Sequence, residues 1–292
     1  MTRLTVQSYF SSVIAFLSFF SIAHSAPPVP AQLAANLPDG TAVKSSNGQA
    51  QFATETSRPF SLAIEVLRVQ YGAIICYEDP LYADPDDVVA FTHKGIRDRR
   101  IPAGGKFSLT YSADDVATVL KQLAQVRLTP DRGAHFHVVQ TGSVYMFLPI
   151  DARDLNGNRG ASQTPLDAHI TMDAVSRPAS ETLATVLKLA ADASKQPIVY
   201  MTPPGPDSPG DPAYKIGAQD ETVRSVLLRA LALMEPQKGP VAWDLFYDPD
   251  SRQYYMNFTA VIKGSRPVAT PASIKRAVPS GGNAADVPIT PH

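Results

Sequence analysis

Apolar residues along this chain change period in a fixed order, and the order runs twice. Gln51 to Thr56 reads as a short strand. Pro59 then stands where a helix can begin, because its missing N–H has no partner to lose there. Leu62, Ile64, Val66, Leu67 and Val69 give that helix an apolar face, and Gly72 suits its C-terminus, where the backbone needs positive φ. Ala73 to Tyr77 is a compact apolar strand stopped by Pro80. Residues 81–104 read as a long polar loop. Phe107, Leu109 and Tyr111 alternate with Ser108 and Thr110, the period of a half-buried strand. A second helix follows, with Ser112 as the expected N-cap and Val116, Val119, Leu120 and Leu123 as its stripe. His135 to Val139 and Ser143 to Leu148 flank Gln140-Thr141-Gly142 as a hairpin.

The second run matches element for element. His169 to Ala174 is a strand, and Leu183, Val186, Leu187 and Leu189 line a helix after Pro178. Pro197 to Met201 corresponds to the strand at Ala73 to Tyr77, and a proline-rich loop from Pro203 to Pro212 replaces the charged one. Tyr214 to Ala218 is a strand. Asp220 is the expected cap of a helix carrying Val223, Val226, Leu227, Ala230 and Leu231. Val241 to Tyr247 and Gln253 to Val261 close the run as a hairpin around Asp248-Pro249-Asp250-Ser251. Local matches support duplication: Ser57-Arg58-Pro59 with Ser176-Arg177-Pro178, Val119-Leu120 with Val226-Leu227, and Tyr145-Met146 with Tyr255-Met256. The expected fold is α+β: two tandem βαβ-βαββ units at 50–150 and 166–263, each with two helices on a small mixed sheet, joined by a linker at 151–165.

The flanks differ. Arg3, the apolar run from Val13 to Ile22, and the small residues of Ala23-His24-Ser25 form a secretory signal pattern, with cleavage expected before Ala26. The run is too short to cross about 30 Å of hydrocarbon comfortably. Residues 26–49 read as an extended leader, and 264–292, rich in Pro, Ala, Ser and Gly, as a disordered tail. The expected location is therefore periplasmic or secreted. A formal charge of −1 over 292 residues gives no general pull toward nucleic acid. The single cysteine, Cys76, has no internal disulfide partner and reads as a small buried hydrophobe.

Candidate chemistry is sparse. Glu78-Asp79 before Pro80 is the sharpest cluster, readable as a turn, a ligand contact or, with Glu78 as general base and residues 81–104 as a lid, a hydrolase site. Strand neighbours point to opposite faces, so the two carboxylates do not serve one atom without a bend. His135-Phe136-His137 puts two imidazoles on one face without a third ligand nearby. Asp84, Asp86 and Asp87 lack the glycine and terminal Glu of a calcium loop, and Arg97, Arg99 and Arg100 stand near enough to neutralise them. No nucleophile elbow, phosphate loop or zinc motif occurs. No catalytic residue, cofactor or metal is expected. Trp243, Tyr247 and Tyr255 belong to an aromatic closing hairpin whose outward half, by alternation, forms either packing or a partner surface. With Glu78 and Asp79 they make the expected interaction surface.

The order strand, helix, strand, strand, helix, hairpin resembles the secretin and TonB short N-terminal (STN) domain. Leu62 to Leu67 with Gly72 and Val116 to Leu123 carry the likeness in the first unit, and Thr182 to Leu187 and Val223 to Leu228 in the second. The family usually leads into an outer-membrane barrel or a secretin ring, a pattern not expected in residues 264–292, and its loops after the first apolar strands are shorter. The resemblance implies a fold, no catalytic residues, and docking to envelope proteins or secretion and uptake machinery. The expectation is an exported, non-enzymatic module binding a protein or envelope polymer; the alternative is a small periplasmic hydrolase or ligand-binding protein with a cleft near Glu78.

Overall fold

The computed structural model describes residues 42–46, 49–93, 96–112, 115–202 and 212–262. The expected signal peptide, most of the leader, the tail and nearly all of the 203–212 loop lie outside them. The fold is α+β, and its elements follow the expected order with additions. Strands β1 (Ala42–Ser46) and β2 (Gln49–Thr56) precede helix α1 (Pro59–Tyr71) and strand β3 (Ile74–Glu78). Strands β4 (Val88–His93), β5 (Ile96–Pro102) and β6 (Gly105–Ser112) lead to α2 (Val116–Gln125), β7 (Phe136–Thr141) and β8 (Val144–Pro149). After the short pair β9 (Asp151–Arg153) and β10 (Arg159–Ala161) come β11 (His169–Arg177), α3 (Ala179–Ser194) and β12 (Ile198–Thr202). Strand β13 (Tyr214–Thr222), helix α4 (Val223–Lys238) and the hairpin β14 (Val241–Asp248) and β15 (Gln253–Ala260) complete the described chain.

Several expectations need correction. The supposed loop at 81–104 holds a 3-10 turn at Pro85–Asp87 and the hairpin β4–β5, and the supposed linker holds β9–β10. The leader contributes β1, paired to β2. Asp115, not Ser112, caps α2 by accepting from the N–H groups of Ala117 and Thr118. Thr222, not Asp220, caps α4 by accepting from the Ser225 N–H. Gly72 ends α1 at φ 66°, as its position required.

Both halves share one pairing scheme. In the first, β2 pairs antiparallel to β6, and β3 runs parallel to β8, which is antiparallel to β7. In the second, β11 pairs antiparallel to β13, and β12 runs parallel to β15, which is antiparallel to β14. The two trios do not form separate small sheets. Strand β14 pairs in parallel with β3, Asp244 opposite Tyr77 and Leu245 opposite Glu78, so one six-stranded sheet runs β12-β15-β14-β3-β8-β7.

This junction decides where the helices go. With β14 parallel to β3, strands β12 and β15 run opposite to β3 and β8. Crossovers of one hand, stepping the same way along the sheet from oppositely directed strands, put their helices on opposite faces. Two cores result. Helices α1 and α2 pack on one face with Ile75, Tyr77, Phe147 and, from the second half, Phe246. Helices α3 and α4 pack on the other face with Trp243, Leu245, Met256 and, from the first half, Cys76, Met146 and Leu148. Each half thus supplies side chains to the other's core, and β14 is buried at all eight positions.

Candidate functional site

The two adjacent acids at the end of β3 sit at the junction of the halves, and the alternation of the strand separates them. Glu78 faces the second half and Asp79 the first. Both are fully buried, at 0% exposure. Arg224 on α4 binds both Glu78 carboxylate oxygens at 2.8 Å, and the Thr164 hydroxyl donates to Oε2 at 2.6 Å. The remaining Arg224 nitrogen reaches Asp167 at 2.7 Å. Burial works against the Arg224 charge, but Glu78 and Asp167 outweigh it and hold the guanidinium above its ordinary pKa.

Asp79 is saturated on the opposite face. Its Oδ2 accepts from Arg58 Nε at 2.7 Å and from the Tyr247 N–H at 3.1 Å; its Oδ1 accepts from the Tyr77 and Tyr82 hydroxyls at 2.7 and 3.2 Å. The Asp79 N–H donates to the Leu245 carbonyl, extending the β3–β14 ladder past the strand end. Arg58 also donates to the Tyr247 carbonyl at 2.6 Å. Burial, then the Asp79 charge, pushes both tyrosine hydroxyls well above their usual pKa.

A third lock crosses the same seam. Arg68 on α1 makes a two-pronged bond to Asp244 on β14, 2.8 Å at each oxygen, and donates to the carbonyls of Ile75 and Trp243. Burial opposes its charge too, and Asp244 reverses the direction, raising the pKa. Glu65, one turn back on α1 (where its carboxyl is partly desolvated and faces Asp244), is pushed up to about 7, by burial first and Asp244 second. Sequence reading missed Arg68, Asp244 and Arg224. A signal existed: Arg68 follows Ile64 by four residues on an apolar stripe, and Asp244 interrupts the apolar run Val241 to Tyr247.

The expected interaction surface of Glu78, Asp79, Trp243, Tyr247 and Tyr255 is therefore not a surface. Trp243 is fully buried and Tyr247 nearly so, with its ring 5.0 Å from that of Tyr254. Tyr255, half-buried, packs against the core of the first half. Alternation failed as a guide here because helices cover both faces of the strand. The other clusters are also internally paired. Asp84 and Asp87 bind Arg153, and Arg99 reaches Asp248 at 3.0 Å instead; the Arg97 side chain lies outside the described residues. His135 bonds Asp151 at 2.8 Å. Among the described residues no group of His, Cys, Asp or Glu is arranged to hold a metal ion. Burial raises the Cys76 thiol to about 12.

What stays open is the two ends of the sheet. Among the described residues no strand pairs with the far sides of β12 or β7. The Tyr254 N–H donates to the Pro197 carbonyl, so in the parallel ladder the peptide group of Ile198 faces away from β15. Along the strand stand half-buried Ile198, Val199 and Tyr200 and exposed Met201, without a charge among them.

No protein-family model, curated protein or solved structure matches the chain. Among the described residues no helix is long and apolar enough to cross a membrane.

Proposed function

We propose that the protein is an exported, non-enzymatic interaction module that takes up an extended segment of an envelope protein along β12. The observation that carries this is the apolar, uncharged run of that strand from Ile198 to Met201, at an end of the sheet where no further strand pairs among the described residues. Natural sheets blunt their edges with charge, proline or cover. An added strand gains backbone hydrogen bonds along such an edge and specificity from alternate side chains. The shared pairing scheme of the halves supports descent from one duplicated unit, and that order supports kinship with the secretin and TonB short N-terminal domain. Burial argues against the hydrolase reading: a general base has to come within hydrogen-bond reach of the proton it takes, and Glu78 has both oxygens committed to Arg224 and Thr164.

The test is capture from envelope extract with immobilised protein. Ile198→Pro removes an outward N–H, and Met201→Glu puts charge beside the edge. Both variants should lose the captured partner while Ile198→Val keeps it. Equal capture by all three overturns the edge-docking reading.

A further inference from the structure

A cavity of about 460 Å³ opens at the seam of the two halves, between α4 and the tight turn joining β7 to β8. It is separate from the β12 edge, and none of the charged side chains of the three ion-pair locks lines it. Ile74, Val144, Leu228 and Val241 make its walls mostly apolar, and Trp243 forms part of its lining. The size falls within the range of small-molecule sites, roughly 300–1,000 Å³.

One polar group sets this cavity apart. The indole of Trp243 is fully buried, and its Nε1–H finds no acceptor among the described residues. A buried donor left unpaired is costly, so a ligand that brings an acceptor gains what the protein forgoes. The charges at the rim narrow the ligand class. Arg229 is committed to both Glu221 oxygens and the Gly217 carbonyl, and Glu235 adds a negative charge at the mouth. A carboxylate ligand would enter beside Glu235, and Arg229, the cation among the lining residues, is already engaged. We infer that this cavity binds a neutral, largely apolar small molecule bearing a carbonyl, whose oxygen accepts from the Trp243 Nε1–H.

Trp243 is the single tryptophan of the chain, so its emission reports on the site directly. The probe is prodan, a neutral naphthalene ketone whose emission responds to polarity and whose absorption overlaps the emission of tryptophan. Titrating it into the full chain should give saturable one-site binding, with quenched Trp243 emission and sensitised probe emission. Ala232→Phe, an exposed substitution at the mouth, should weaken binding at least tenfold without changing the unfolding midpoint. Trp243→Phe, followed by direct excitation of the probe, should weaken it about tenfold, the loss of one hydrogen bond worth about 1.4 kcal/mol. Absence of saturable binding overturns the proposal. So does saturable binding that Ala232→Phe leaves unchanged, which would mark adsorption elsewhere. Neither result bears on capture through β12.

Discussion

Strands β3 and β12 hold the same place in the two halves, yet their ends meet opposite fates. The end of β3 carries Glu78 and Asp79, is fully buried, and is gripped by arginines on both faces of the sheet. The end of β12 carries Met201, 47% exposed, and no acid. The difference is one of position in the sheet. Strand β3 has a permanent neighbour in β14, and three ion pairs with buried carboxylates gather at that junction, one of them, Arg68–Asp244, reaching β14 itself. Strand β12 stands at the sheet's end. Buried ion pairs contribute little net stability over a well-packed apolar replacement, but losing one partner is severe. Their value here is choice of partner: they make β14 the correct neighbour for β3 and leave β12 without the equivalent grip.

The most damaging way to probe the contrast is to strip one partner at the β3 end. Arg68→Met or Arg224→Met leaves a buried carboxylate uncompensated and should cost about 3–5 kcal/mol in denaturant unfolding. The double variant Glu78→Gln with Arg224→Met should recover at least half of the loss; a strictly additive double variant would show that the two groups do not interact.

Glu65 sharpens the picture through pH. Its folded-state pKa of about 7 lies above the 4.5 of the unfolded chain, so the native state holds more protons between those values. By linkage, stability present below pH 4.5 is lost as pH rises through 7. Glu65 keeps part of its surface in water, so the change is about 2 kcal/mol, less than the full shift implies. Unfolding curves across that range should slope accordingly, and Glu65→Gln should flatten them. An unchanged slope in the variant places the titrating group elsewhere.

The smallest effect is expected at β12. Met201→Glu adds an acid near the place corresponding to Glu78, yet in solvent it should change stability by no more than about 0.5 kcal/mol. A penalty of several kcal/mol would mean that this edge is covered.

Much of the fold was legible because it is written locally. The stripes of α1 and α2, the αL glycine at Gly72 and the alternation of β6 are signals within a few residues. The seam was not, because its partners are remote: Arg224 lies 146 positions from Glu78, and Asp244 176 from Arg68. Two acids before a proline read as a turn until the arginines are folded beside them. The hairpin β4–β5 was hidden by its charged run Arg97-Asp98-Arg99-Arg100, which obscures strand alternation. The aromatic hairpin misled for the converse reason, since one half of the chain cannot show that the other will cover its outer face.

The central claim is that the two halves are one cooperative body. Phe60→Ala alters only the first core, yet it should shift the unfolding transition of Trp243, in the second, by the same amount as the transition seen by far-ultraviolet circular dichroism. The expected destabilisation is about 3–5 kcal/mol by both probes. A Trp243 transition that stays in place while the dichroism splits in two would contradict the claim.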